Sequence, residues 1–330
     1  MRTHNDTNEA LAQPPGEGED GLFTQSWFPI CLSTDVAPGT FRGYDFLDGR
    51  VIVMRDEQGV AQVLSAYCRH LGADLSGGEM IEGTIRCPFH YWRYAIDGRC
   101  VGTGSGDPAP PAARLFRFPT MEKYGCVFAF NGSEPLFEMP DFPRPAATLR
   151  WKFGTYERLM HVDPWVICCN TPDMQHIKSV HGIQFDGGEP HDQVQWTPTS
   201  MVYRLRGRHR GGQPVDFRVG IYGSNIYFQE GEIDGRWFGF MAPMGLARPK
   251  NSTLFLAVAV EDDPADPAGT QQFLDRMYAL EAFVASEDLP IVENAHFRPG
   301  NLTRSDRSLA RFLRYLRDYP RAHPSASCIR

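Results

Sequence analysis

Apolar positions along the chain follow two rhythms, and the change between them divides the sequence. From Phe23 to about Pro143 the apolar runs are short and broken by Gly, Pro and Asp: "SWFPICLS", "RVIVMRD", "AQVLSAYC", "TIRCPFHYWRY" and "GCVFAFNG". Runs of about five residues with turn residues between them predict an all-β module. Within it, "GTGSGDPAPPAARLFRFPT" reads as a Gly/Pro-rich loop. A Pro-rich bridge, "PLFEMPDFPRPAATLRW", marks the expected boundary, and beyond it the pattern mixes. "MVYRLRGRHR", "DFRVGIYGSNIYFQEGEI", "GRWFGFMAPM" and "STLFLAVAVEDD" alternate or run apolar as strands of one sheet. "TQQFLDRMYALEAFVASED" sets Phe273, Leu274, Met277, Leu280, Phe283 and Val284 at helical spacing, which predicts a helix packed on that sheet. "VDPWVICCNTPDMQHIKSVHG" fits a helix that ends near Gly182 and breaks at Pro172. "SLARFLRYLRDY" reads as amphipathic, with Leu309, Phe312, Leu313 and Leu316 opposite arginines. The alternating Arg204, Arg206, Arg208 and Arg210 read as the solvated face of a strand.

Composition narrows the class. With 330 residues, 42% of them hydrophobic and 22% charged, the chain buries large cores and has the length of two ordinary domains. A net charge of −7 argues against nucleic acid or an anionic membrane as the main partner. No apolar run approaches bilayer-spanning length, and the polar, acidic "MRTHNDTNEALAQPPGEGEDG" lacks the apolar core of a secretory signal. That segment reads as a flexible tail over residues 1–21. Eight cysteines without a framework of spacings indicate a reducing, cytoplasmic compartment rather than disulfides.

Candidate chemistry begins with two Cys–His pairs, Cys68-x-His70 and Cys87-x-x-His90. A structural zinc needs four tetrahedral ligands and usually begins with two cysteines at short spacing. Here each loop supplies one thiolate and one imidazole. That mixed provision suits a two-iron cluster with one iron on two cysteines and the other on two histidines. Gly72, Gly77, Gly78 and Pro88 let backbone approach the sulfides. Local spacing leaves zinc scaffold and electron-carrying cluster both open.

Cys68-Arg69-His70-Leu71-Gly72 with Cys87-Pro88-Phe89-His90-Tyr91-Trp92 resembles the Rieske [2Fe–2S] motif of ring-hydroxylating oxygenases. Ala73 stands where respiratory Rieske proteins carry an extra cysteine, and Tyr91 where many oxygenases have Gly. With "DLSGG" and "HYWRYAIDGRC", the segment is most similar to oxygenase components of 3-ketosteroid 9α-hydroxylases and sterol-acting relatives. The resemblance implies an α+β fold, with an all-β Rieske domain at 22–147 and a helix-grip catalytic domain at 148–330.

It also implies a mononuclear non-haem iron on two His and one carboxylate, with positions open for dioxygen. Asn170-x-x-Asp173-x-x-His176-x₄-His181 has the family's order, which makes His176 and His181 the imidazole ligands. The third ligand falls on Asp288, with Glu287 the competing residue. On a regular helix Asp173 and His176 lie about 60° apart, close enough for the carboxylate to bond the outward ring nitrogen, whereas His176 and His181 lie about 140° apart. A distorted or π-like helix is therefore expected between the two histidines. Asp173 would bridge His176 to His90 of a neighbouring subunit in a homotrimer. Asn170 would orient bound oxygen or water, or else cap a helix ahead of Pro172.

The implied activity is monooxygenation of a bulky apolar, steroid-like or polycyclic substrate. Electrons would come from NAD(P)H through a separate reductase or ferredoxin. Oxidative O- or N-demethylation of an aromatic is the alternative. A Rieske electron carrier would leave the second domain without a role.

Overall fold

The computed structural model describes residues 13–296 and 301–330. These residues form two compact units, and neither is one continuous stretch. The first comprises Gly18–Pro135, Gly245–Pro249 and Arg321–Arg330; the second comprises Leu136–Met244 and Lys250–Pro320, joined by the described residues up to Glu17. The boundaries thus differ from the expected linear division at 147/148.

The reason lies in unpaired strand edges and an incomplete core. Strand β1 (Phe23–Thr24) finds its partner in Arg321–Ala322, with Phe23 opposite Ala322. Asn131 Nδ2 donates to the Ala322 carbonyl at 2.8 Å, and Ile329 is fully buried in the first unit's core. Leu47 and Asp48 donate their N–H groups to the carbonyls of Leu246 and Ala247. Of the expected tail, residues 1–12 lie outside the described residues. Its other end is ordered, because Glu17 is buried and its N–H donates to Asp163 Oδ2 at 3.0 Å.

The remaining strands of the first unit are β2 (Trp27–Leu32), β3 (Thr40–Phe46), β4 (Gly49–Arg55), β5 (Ala61–Ser65), β6 (Glu79–Ile81), β7 (Thr84–Arg86), β8 (Arg93–Tyr94), β9 (Cys100–Gly102), β10 (Thr120–Lys123) and β11 (Cys126–Phe130). They form antiparallel sheets in the orders β3-β4-β5, β10-β11-β2 and β6-β7-β8-β9. Strand β4 is buried on both faces, which is why "VIVM" reads as an unbroken apolar run. Val51 and Val53 enter one core with Phe28, Phe46 and Phe118. Ile52 and Met54 point the other way, into a core that also holds Leu75, Ile85, Tyr94 and the thiols of Cys68 and Cys87.

The second unit is built on an antiparallel sheet: β12 (Leu149–Thr155), β13 (Ile183–Phe185), β14 (Gln195–Thr197), β15 (Ser200–His209), β16 (Pro214–Tyr222), β17 (Ile226–Ile233), β18 (Arg236–Arg248) and β19 (Asn251–Glu261). Its order is β12-β19-β18-β17-β16-β15-β13, with β14 on β15. Two helices precede it or interrupt it, α1 (Pro164–Cys168) and α2 (Met174–Ser179), and two follow, α3 (Pro267–Asn294) and α4 (Arg307–Asp318). Alternate residues of β18 (Phe238, Phe240, Ala242, Met244) and β19 (Leu254, Leu256, Val258, Val260) face the core that Phe273, Leu274 and Met277 of α3 complete. Truncating one such Leu or Met to Ala typically costs about 2–5 kcal/mol, so this face holds α3 in place.

Asp266 starts α3 by accepting the Gly269 N–H at 2.9 Å, with Pro267 in the first turn. The helix continues through Pro290 for 28 residues. Its packing face departs from expectation. Leu280 and Phe283 are exposed at 37% and 60%, and the inward position between Met277 and Asp288 belongs to Glu281, which is 5% exposed. Arg204 and Arg206 of β15 are exposed and pair with Asp216, as a solvated face requires. All eight cysteines are free.

Candidate functional site

Two tight loops carry the Cys–His pairs. Gly72 and Ala73 fold the first loop back on itself: the Gly72 N–H donates to Cys68 O, and the Cys68 N–H to Ala73 O. Gly72 has φ +78°, in the left-handed region that glycine enters without penalty. In the second loop the Tyr91 N–H donates to Cys87 O and the Cys87 N–H to Trp92 O. Tyr91 has φ +58°, so the position where many oxygenases have Gly keeps a left-handed backbone here. The Arg86 guanidinium lies over its exposed ring, 4.7 Å from the centroid.

The two pairs are placed unequally. Cys68 and Cys87 are buried, His70 is exposed and His90 half-buried. The His70 and His90 ring centroids lie 4.7 Å apart, and Trp92 stacks on His70 at 4.6 Å. Burial pushes the Cys68 thiol up, against the Tyr94 hydroxyl, which sits 3.2 Å from its sulfur. Tyr94 also accepts the Arg69 N–H at 2.9 Å. Sequence reasoning passed over Tyr94; its inward place on β8 is what brings the hydroxyl under the loop.

The second constellation converges more tightly. His176 and His181 Nε2 lie 3.0 Å apart, and Asp288 Oδ1 lies 3.2 Å from the first and 3.3 Å from the second. Three ligands at right angles on a metal about 2.1 Å away stand about 3.0 Å apart, against about 3.4 Å for tetrahedral angles. The observed edges of 3.0, 3.2 and 3.3 Å fall within this range. Asp288 Oδ1 is buried and accepts no well-formed hydrogen bond despite this proximity. Burial pushes the Asp288 carboxyl up, but the two imidazoles outweigh it and hold it well below the usual range. A buried carboxylate oxygen without a hydrogen-bond donor, set between two ring nitrogens, suits a cation, so the donor set fits the non-haem iron that the resemblance implies.

Among the described residues, this is the set of His, Cys, Asp or Glu whose ligand atoms all lie within 4.8 Å of one another. No three of Cys68, His70, Cys87 and His90 meet that condition. A single zinc would draw its four ligands to about 3.4–3.8 Å. A two-iron cluster spreads them over two metals.

The helix carrying the histidines is not π-like, contrary to expectation. Helix α2 ends at Ser179, Val180 closes the last turn by donating to His176 O, and Gly182 follows at φ +67°. His181 therefore lies beyond the helix end and is free of the 140° constraint. Asp173 is the N-cap: its Oδ1 accepts the N–H groups of Gln175 and His176 at 3.0 and 2.9 Å. The expected bond from Asp173 to the His176 ring is absent among the described residues, because the carboxylate is turned onto the backbone. Glu287 Oε2 stands 3.6 Å from His181 Nδ1, on the ring's far side, so it is Asp288 that meets both Nε2 atoms.

The triad lies in the wall of a cavity of about 1090 Å³. Ile167, Leu205, Phe217, Val219 and Phe240 make much of the wall apolar. Asn170 lines it too, with its side-chain amide buried and unpartnered; as Asp173 holds the N-cap, the capping alternative for Asn170 is removed. Glu281 lines the same cavity, and sequence reasoning missed it. Its signal was an acidic residue four positions after Met277 on the face otherwise given to the core.

Compared with known proteins, residues 26–119 match the Rieske [2Fe-2S] domain. The chain carries that domain and has the fold of Rieske oxygenase subunits. The fold of NdmA of Pseudomonas putida CBB5 superposes with a TM-score of 0.68 at 19% identity, covering 95% of this chain and 92% of that one. The oxygenase of carbazole 1,9a-dioxygenase, solved with its ferredoxin, gives 0.70 at 15%, covering 95% and 91%. In sequence, the 3-ketosteroid-9-alpha-monooxygenase oxygenase component of Rhodococcus rhodochrous is 32% identical over 165 residues, 48% of this chain and 43% of that protein. Cholesterol 7-desaturase of Bombyx mori is 31% identical over 193 residues, 57% and 40%. The chain thus spans less than half the length of these curated relatives. No helix among the described residues is long and apolar enough to cross a membrane.

Proposed function

We propose that this chain is the oxygenase component of a multicomponent Rieske system, and that it hydroxylates a C–H bond of a bulky apolar, steroid-like or polycyclic substrate using dioxygen. One observation carries the reading: His176, His181 and Asp288 converge in the wall of a large, mainly apolar cavity, in a chain that also bears a Rieske domain. The sequence relatives named for 3-ketosteroid 9α-monooxygenation support the substrate class.

In this reading Cys68 and Cys87 hold one iron of the [2Fe–2S] cluster and His70 and His90 the other, while His176, His181 and Asp288 hold Fe(II). Bound there, the cluster supplies single electrons and the iron supplies dioxygen activation. The chain's own residues set the conditions. With Cys68 and Cys87 buried and His70 and His90 nearer the surface, the two imidazoles would be the ligands nearest to solvent. Asp173 keeps Oδ2 clear of the helix cap, where it can accept from the imidazole of His90 of a neighbouring copy in a homotrimer. Asn170 offers an amide donor to oxygen or water, and the apolar walls exclude bulk water from the substrate. A reductase or ferredoxin drawing on NAD(P)H is the partner this electron path needs.

Sterol desaturation is the second reading, favoured by the cholesterol 7-desaturase relatives at similar identity. The test is iron, zinc and acid-labile sulfide on anaerobically purified protein, followed by turnover of sterols with dioxygen and a surrogate reductase. About three irons and two sulfides per chain, with one oxygen atom in the product, support hydroxylation. A new double bond supports desaturation, and zinc without sulfide overturns both.

A further inference from the structure

Inside the cavity one polar arrangement takes no part in holding metal. Glu281 and Asp288 lie seven residues apart on α3, which at 100° per residue returns to the same helix face within about 20°, about 10 Å along the axis. Both line the cavity. Gln229 of β17 backs Glu281: its Nε2 donates to Glu281 Oε1 at 3.0 Å, while its Oε1 accepts the Tyr227 hydroxyl. Both ends of the amide are thus spent. Glu281 Oε2 has no hydrogen-bond partner among the described residues, and the residue lines the cavity.

Burial acts most strongly on this carboxyl, and His181 is the charge that opposes it. The charged and titratable groups acting on it and on its Tyr227 neighbour are His181, Asp288 and Tyr203, and the backing amide is neutral. Burial pushes Glu281 up to about 8, so at neutral pH it is the acid. With Oε1 accepting from Gln229, the proton belongs on Oε2, facing the empty space. A neutral O–H donor among the apolar residues of the wall selects a hydrogen-bond acceptor and leaves a plain hydrocarbon with an unpaired group against it.

We propose that Glu281, held by Gln229 and Tyr227, recognises a carbonyl oxygen of the substrate about two helical turns from the iron position, so that the cavity takes polycyclic ketones in preference to the matching hydrocarbons. This rests on reading the cavity as an oxygenase's substrate site. A rigid fused-ring scaffold anchored at Glu281 by its carbonyl presents a distant carbon to His176, His181 and Asp288.

The test is equilibrium binding of 4-androstene-3,17-dione and 5α-androstane, with 9-fluorenone and fluorene as a smaller pair, to purified holoprotein at pH 7. Wild type binds the ketone of at least one pair about tenfold tighter or more than its hydrocarbon. Glu281→Leu brings the two within about twofold while hydrocarbon binding and iron content hold, and Glu281→Gln, whose amide still donates, keeps most of the preference. Preference retained in Glu281→Leu, no preference in wild type, or no binding of any of the four overturns the proposal. Because binding needs no turnover, the two readings fail separately. Iron- and sulfide-loaded protein without the preference overturns this inference alone, whereas Glu281-dependent preference in protein without iron overturns the oxygenase reading alone.

Discussion

His176 and His181 bring their Nε2 atoms to 3.0 Å although five positions separate them on the chain, because the helix between them stops. Continuous α-helix would splay the rings; the stop after Ser179 frees His181 to turn back, and Gly182, in the left-handed region, then redirects the chain into β13. Gly182 is therefore part of the turn that follows the candidate metal site. A Cβ at Gly182 meets Arg210 Nε at 2.5 Å besides straining the backbone. Gly182→Ala is expected to cost about 1–2 kcal/mol and to weaken Fe(II) retention while leaving acid-labile sulfide unchanged. Urea unfolding with iron and sulfide analysis checks it, and full iron in a fully stable variant would refute the role.

Tyr94 is placed to tune the first constellation if Cys68 holds the cluster as proposed. Its hydroxyl reaches Cys68 Sγ at 3.2 Å, and a donor to a ligand sulfur stabilises the reduced cluster. Taking the bond as worth about 1 kcal/mol, Tyr94→Phe should lower the midpoint potential by about 40 mV. Redox titration followed by the visible spectrum reads this directly.

Asp173→Asn separates structure from electron transfer. Asparagine caps helices as well as aspartate does, so α2 and both metal centres should persist. Turnover should collapse if the carboxylate bridges two subunits. Wild-type turnover in a metal-replete variant would remove the bridge.

The Glu281 carboxyl gives a pH signature with a definite sign. Its folded value of about 8 stands above the ordinary 4.5, so the folded chain retains a proton across that interval which the unfolded chain has released. The stability it contributes is full below 4.5 and falls as pH rises toward 8. Infrared difference spectra should show a carboxylic C=O band that titrates away near pH 8 and is missing in Glu281→Gln. A band lost near pH 4.5 would mean an ordinary carboxylate.

What the sequence made legible follows the range of each interaction. The Cys–His pairs stood out because metal chemistry limits residue types and spacings, whereas the Asp-x-x-His-x₄-His run and Asp288 became legible through the resemblance to the Rieske oxygenase pattern. The strands of the first unit stood out because β4 and β5 carry alternation or apolar runs. Glu281 did not, since its burial depends on Gln229 of another strand. Asp173 as N-cap was readable from its place ahead of "MQHIKS" but was overshadowed by the geometry of a longer helix that does not form. The division into units was illegible in local pattern, because β1's partner lies about 300 residues away.

That distant partner sets a timetable. The loops bearing Cys68 and Cys87 leave the ribosome early, yet the bond from Asn131 to Ala322 closes a loop of 191 residues. At translation speeds of about 5–20 residues per second, the nascent β-domain waits about 10–40 s for its closing strand. Cluster insertion that requires the finished domain would thereby be deferred until Arg321–Arg330 has emerged, with the thiols of Cys68 and Cys87 waiting for their cover until then.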